Sequence, residues 1–406
     1  MEPEFSLPLY SPSHPSPCYS EDPACDETRL DLSPRNGTRP LPTGIFTQAC
    51  GSITVVLYDQ EPTTHIPSYR QQGSVRGSLI IEQDLCQISE VAAKLEGRLE
   101  IITTDSGALT IKVFKNTYCL WASSSSSSTF PGAVDITCNF PAAFQHQNRE
   151  YPLPPSYGAK FPGFPPLFFK CTYSLTISIT KDRRLGFLID IPIEYKPEGP
   201  PAHGIPSIPS FLSSLKAVPE EWHQTSFVMK ARSSSTLSPI QCQAFIPSAR
   251  VFGLSDTIPL HLQISGCLSS LRELIPPPSS RSNDEHSPIR VYLTRMVTFE
   301  YRGKSTWRIH RIGEGYFSPL PPTVNFDCHC RNPSESCASC VETLDWNGNI
   351  KCDSSIAVGG FQAAGIIVKD FISLEIVPQK AVLSPLLTVQ HAIPIRFVTQ
   401  TFVAPT

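Results

Sequence analysis

The chain has 406 residues, 40% of them hydrophobic, with a formal net charge of −3 and a pI near 6.4. That is enough apolar material for two domains of ordinary size, and the near-neutral balance gives no global field for nucleic acid or acidic lipid. No apolar run approaches bilayer-spanning length, the acidic start lacks the basic region of a signal peptide, and the 14 cysteines are expected to stay reduced in the cytosol.

Residues 1–44 are rich in Pro, Ser and acid, show no sustained period and are expected to be disordered. From Gly51 onward the pattern turns to strands. Ile53, Val55 and Leu57 alternate, then Val75, Gly77, Leu79 and Ile81, then Val91, Ala93, Leu95, Gly97, Leu99 and Ile101. Ile111 to Trp121 and Val134 to Phe140 continue it, separated by a Ser123–Ser128 loop tip. Further on, Cys171, Tyr173, Leu175, Ile177 and Ile179 alternate with Thr172, Ser174, Thr176, Ser178 and Thr180. One face of that strand is apolar and the other hydroxylic, as over a β-sandwich core. Leu188 to Tyr195 follows it.

The stretch KPEGPPAHGIPSIPS combines prolines that remove donors with glycines that bend, and predicts an inter-domain connector at 197–211. A second β region follows. Ile258, Leu260, Leu262 and Ile264 alternate; Ile289, Val291, Leu293, Val297, Phe299 and Tyr301 share one parity; Ile366–Val377 and Val389–Thr399 close the chain. The expected organisation is a tail at 1–44, one β-sandwich at 45–196, the connector, and a second at 212–406 with loop insertions at 275–288 and 327–353. The fold class is all-β. Arg295 sits at the parity of Leu293 and Val297, so it is aimed at the core, where a guanidinium must be paired. A β-bulge that restores its exposure is the simpler expectation.

Three groups of residues could carry binding. Leu7-Pro8-Leu9-Tyr10 has the [Leu/Pro]-Pro-x-Tyr form read by WW domains, which dock an already extended polyproline segment and an aromatic anchor. Pro154-Pro155-Ser156-Tyr157 is a better literal match, but a Tyr packed into a sandwich cannot serve as such an anchor, so its role is expected to be structural. Cys328, Cys330, Cys337 and Cys340 offer four soft ligands in a short polar loop; zinc and reduced free thiols both remain open, with the Cys-x-Cys spacing favouring thiols. No catalytic motif is present and the ten His are scattered, so the chain is read as a non-enzyme.

Leu153-Pro154-Pro155-Ser156-Tyr157, leading through a glycine turn into Tyr173-Ser174-Leu175 and closed by Arg183-Arg184, resembles the signature of the arrestin-like N-terminal domain. VAAKLEGRLEI resembles the Leu-x-Gly strand of the same domain, and PIQCQAFIPSARVFGLSDTIPLHLQISG is similar to the opening of an arrestin C-terminal domain. The resemblance implies two antiparallel immunoglobulin-like sandwiches in arrestin arrangement. It further implies a cytoplasmic adaptor without cofactor that binds membrane-protein cytoplasmic tails and reaches the membrane only through partners. Arrestin-related adaptors of fungi and animals recruit HECT-type ubiquitin ligases through WW motifs and route cargo to endocytosis, which gives Leu7, Pro8 and Tyr10 their implied role. A retromer-subunit-like scaffold is the alternative.

Overall fold

The structure is a computed structural model that describes residues 42–402 except 63, 72, 84, 104–106, 124–128, 162–165, 182–183, 198, 200, 202, 207–210, 276–286, 322–340 and 380. Alternation of apolar and polar side chains builds strands almost throughout. The first half contributes β1 (Gly44–Cys50), β2 (Ile53–Gln60), β3 (Ser68–Arg70), β4 (Ser74–Ile81), β5 (Ile88–Thr103), β6 (Gly107–Ala122), β7 (Ala133–Asn139), β8 (Ala143–His146), β9 (Arg149–Pro152), β10 (Tyr157–Phe161), β11 (Leu167–Lys181) and β12 (Arg184–Lys196). Two large sheets result, in the orders β1-β2-β4-β7 and β3-β12-β11-β5-β6, with β10 added to β11, and β8 and β9 form a separate two-stranded ribbon. Val55, Leu57, Val75 and Leu79 of the first face Leu95, Leu99, Leu175 and Ile177 of the second across one buried core.

The residues on which the sequence resemblance rests interlock within this core. Tyr173 pairs across the sheet with Gly97, and a Cβ at Gly97 would lie 2.6 Å from the Tyr173 ring, so only glycine leaves room for it. The Tyr173 hydroxyl donates to the Pro154 carbonyl at 2.5 Å. Ser156 in turn binds Tyr195 twice, its N–H donating to the Tyr195 carbonyl and its Oγ accepting the Tyr195 N–H, both at 2.8 Å. The Leu-Pro-Pro-Ser-Tyr segment is thereby laid across β11 and β12, with Leu153, Pro154 and Pro155 buried.

Beyond the connector, a short helix α1 (Phe211–Ala217) precedes β13 (Trp222–Met229), β14 (Ile240–Pro247), β15 (Val251–Gly253) and β16 (Thr257–Cys267). A second helix, α2 (Leu268–Leu274), leads to β17 (Ile289–Tyr301), β18 (Lys304–Pro319), β19 (Val341–Cys352), β20 (Gln362–Ala363), β21 (Ile366–Ile376) and β22 (Val389–Val398). These strands form one continuous sheet, β13-β14-β16-β19-β18-β17-β21-β22-β15, with β20 added to β21. The sheet folds back on itself, so Cys242 and Leu262 on one side share a core with Ile372 and Ile393 on the other. Pairing is antiparallel except at the short edges β3–β12 and β15–β22.

Two expectations about this half are corrected. Residues 341–352, placed inside a loop insertion, form β19 in the interior of the sheet, with Leu344, Trp346, Ile350 and Cys352 on its buried face. Their period-two signal was outweighed by the neighbouring cysteine-rich loop and by Asn347, Gly348 and Asn349. The connector is also shorter than its composition suggested, because its last residue, Phe211, starts α1 and packs on Trp222, Phe245 and the ring of His261.

The Tyr173–Pro154 bond gives a direct test of the interlock. Tyr173→Phe should lower stability by about 1–3 kcal/mol, because a buried carbonyl loses its donor while packing is kept. Chemical denaturation checks this; an unchanged midpoint would show that the bond contributes nothing to the sandwich.

Candidate functional site

Strands β17 and β21 run from one apolar cluster into another. On β17, Ile289, Val291 and Leu293 belong to the carboxy-terminal core, whereas Val297 and Phe299 belong to the amino-terminal one. On β21 the order is mirrored: Ile366 and Val368 sit in the amino-terminal core and Ile372, Leu374 and Ile376 in the other. Between them, at the same inward parity, stand Arg295 and Asp370, directly opposite each other in the ladder.

Both side chains are fully buried, at 0% exposure. Arg295 Nε donates to Asp370 Oδ1 at 2.7 Å and Nη2 donates to Oδ2 at 3.1 Å, a fork-to-fork geometry. Nη2 also donates to the Val358 carbonyl at 2.8 Å. The expected bulge exists, but on the neighbouring strand: the β17–β18 register shifts between Leu293 and Thr294, leaving Ile312 of β18 as the extra, buried residue. Arg295 therefore keeps its inward parity, and the expectation of an exposed guanidinium is corrected. Burial alone would weaken its charged form. The hydrogen bonds and charge of Asp370, helped by Tyr157, more than offset that and hold Arg295 above its ordinary value.

The loop Val358-Gly359-Gly360-Phe361 crosses this pair at close quarters. A Cβ on Gly359 would clash with the Phe397 carbonyl, and one on Gly360 would lie 2.7 Å from the Val368 carbonyl and 3.5 Å from Asp370 Oδ2. From the amino-terminal side, half-buried Tyr157 lies with its ring 5.8 Å from the Arg295 guanidinium carbon and packs on Phe169 and Phe361. His310, opposite Arg295 in the β17–β18 ladder, contacts Phe161 with ring centroids 5.1 Å apart. Arg295 Nη1 and His310 Nδ1 are buried without a hydrogen-bond partner.

Beside the pair opens a groove of about 1080 Å³. Arg149, Tyr151 and Pro155 line it from the amino-terminal half, Asp370, Lys369 and Arg396 from the carboxy-terminal half, and Pro197 and Gly199 from the connector. The end of the described chain ties down that connector: Gly199 N–H donates to Thr399 Oγ1 at 3.2 Å, and Gln400 N–H donates to the Gly199 carbonyl at 3.3 Å.

Of the residues singled out in the sequence, Pro155 lines the groove, Tyr157 packs between Arg295 and Phe361, and Pro154 is held inside the amino-terminal sandwich by Tyr173. Leu7, Pro8 and Tyr10, and Cys328, Cys330, Cys337 and Cys340, lie outside the described residues. Among the described residues no group of three or more His, Cys, Asp or Glu converges as a metal site. Asp370 and His310 were missed. A usable signal existed for Asp370, because it breaks the apolar parity of Ile366, Val368 and Ile372 just as Arg295 does on its own strand.

No family model matches the chain, and no curated protein matches it. Among solved structures, squid arrestin aligns with 87% of this chain and 97% of its own length, at 7% identity and a TM-score of 0.34. No helix among the described residues is long and apolar enough to cross a membrane.

Removing one partner of the buried pair leaves an uncompensated charge. Arg295→Met should cost about 3–5 kcal/mol, and the double variant Arg295→Met/Asp370→Leu should recover most of that loss. Denaturation of the three proteins decides it, and a double variant no better than the single one would refute the pairing.

His310 adds a pH dependence. Burial first, and the Arg295 charge second, hold its ring below the ordinary 6.5, against an opposing pull from Asp370. Such a base binds fewer protons folded than unfolded just below 6.5, so stability falls as pH drops through that window and levels off below the folded value. Melting from about pH 7 to about pH 5 should show a steeper loss for the native chain than for His310→Gln. Parallel curves would exclude His310 as a source.

Proposed function

We propose that this chain is an arrestin-like cytoplasmic adaptor that holds the cytoplasmic tail of a membrane protein in the groove between its two halves. The observation that carries the reading is the groove itself, walled by both halves and braced at Asp370 by a buried bidentate pair. A site built for binding an extended segment needs a rigid trough with polar groups along it, and Arg149, Lys369 and Arg396 supply three cations against Glu150, the other lining acid, Asp370, being paired with Arg295. The interlocking of Gly97, Pro154, Ser156 and Tyr173 supports it further, since these are the positions on which the family resemblance rests.

In this reading a HECT-type ubiquitin ligase joins through Leu7-Pro8-Leu9-Tyr10, and the bound cargo is passed to endocytic sorting. Tyr157 is assigned to the inter-half packing instead. The role is one of binding, and it requires no cofactor, zinc included.

Two substitutions separate the motifs. Tyr10→Ala should abolish capture by an isolated WW module of a HECT-type ligase and leave the melting temperature unchanged. Tyr157→Ala should leave capture intact and lower stability by about 2 kcal/mol, the sum expected for two aromatic contacts and one cation–π contact. Capture that survives Tyr10→Ala but fails with Tyr157→Ala would reverse the assignment.

A further inference from the structure

The β17–β18 hairpin carries an open strand edge. β19 pairs with β18 only from Gly313 to Pro319, so among the described residues Lys304 to Arg311 have a strand on one side alone. The direction of their main-chain groups can be read from the ladder. Glu300 N–H donates to the Gly365 carbonyl, so the even-numbered residues of this part of β17 turn toward the β21 side. Their partners in β18 are Ser305, opposite Glu300, Trp307, opposite Thr298, and Ile309, opposite Met296. These odd-numbered residues therefore turn their N–H and C=O groups away from β17. One of them is already engaged from the open side, since Arg308 Nη1 folds back to donate to the Trp307 carbonyl at 2.7 Å.

The side chains at this edge are unusual for solvent. Trp307 is 58% exposed and Ile309 55%, and a shallow, open depression runs along the strand from Ser305 to Ile309. Four cations, Arg302, Lys304, Arg308 and Arg311, lie along it against one acid, Glu300 opposite Ser305, with Arg302 stacked on Tyr301 and Arg311 on Tyr292. Like charge argues against a second copy of the chain pairing here edge to edge, and it favours a strand of opposite sign.

We propose that the edge from Ser305 to Arg311 is a docking site for an acidic extended peptide, which joins the sheet as an added strand. Its main chain pairs with Ser305, Trp307 and Ile309, displacing Arg308 from the Trp307 carbonyl. Its apolar residues, on one face, cover Trp307 and Ile309, and its carboxylates meet the flanking cations. This site lies outside the groove between the two halves and stands independently of the tail-binding reading.

The test uses the full chain and a short synthetic peptide alternating Val with Asp or Glu, labelled for fluorescence anisotropy. Trp307 is the one strongly exposed Trp of the four, Trp222 and Trp346 being buried and Trp121 half-buried, so its emission reports the same event. Expected are saturable binding, a blue shift, and a loss of at least about tenfold in affinity when alternate peptide nitrogens are methylated or when Lys replaces the acids. Ile309→Pro removes one outward N–H without touching the β17 ladder and should weaken binding similarly while the fold, checked by circular dichroism, is kept. Arg396→Glu, in the groove, should leave binding unchanged. Equal binding of the methylated peptide, equal binding of the Lys peptide, self-association of the chain through this edge, or no binding at all would each overturn the proposal.

Discussion

The Arg295–Asp370 pair is the point on which the arrangement of the two halves turns. Strands β17 and β21 each supply apolar side chains to both cores, and continuous apolar parity would merge those cores into one. A guanidinium and a carboxylate at the crossing rung interrupt the parity and divide them. Such a pair is a weak source of net stability, because desolvation consumes most of the Coulombic gain. Its consequence is geometric. A one-residue slip of β21 against β17 would turn apolar faces outward, and a slip of any size would separate two buried charges, so the register of the central ladder has one low-energy solution. The same pair fixes the loop over it, through the Val358 carbonyl and the two glycines that let the backbone approach.

The Leu-Pro-Pro-Ser-Tyr segment links this rung to the amino-terminal sandwich. Pro154 is held by Tyr173, Ser156 by Tyr195, and the next residue, Tyr157, lies against Arg295 and Phe361. Three consecutive anchorings thus carry position from the aromatic core of one half to the ion pair of the other. The prolines restrict the backbone approach to β10, and Tyr157 spends its ring on packing.

How much of this could be read in the sequence follows from how local each signal is. Strands β2, β4, β5, β11, β16, β17, β21 and β22 announce themselves by alternation, because side-chain direction has period two and one face is buried. β19 did not, since its polar and glycine positions lie in the middle of the sheet, where His261 bonds Asp345 and Asn347 and covers them. The charged pair was half legible. The parity of Arg295 demanded a partner, but nothing near it in the chain says that the partner lies 75 residues on. The bulge was anticipated on the wrong strand for a related reason: a bulge on β17 and one on β18 satisfy the same hydrophobic count, and only pairing decides between them. The groove was not legible at all, being formed by five separate stretches of the chain that share no motif.

Rigidity has a consequence for how such a scaffold can be used. Opening the interface would separate Val297, Phe299, Ile366 and Val368 from the amino-terminal core, expose an ion pair now at 0% exposure, and free the connector from Thr399 and Gln400. A ligand that drives a two-state change from rare to dominant must favour the open state by about 5.5 kcal/mol. A peptide lying along the surface of the groove gains nothing from opening it, so it supplies no such difference. In the proposed reading the groove and the β18 edge take ligands that adapt to the protein, namely extended segments that order on binding. On that footing the folded body acts as a fixed template, and the ordering entropy falls on the partner.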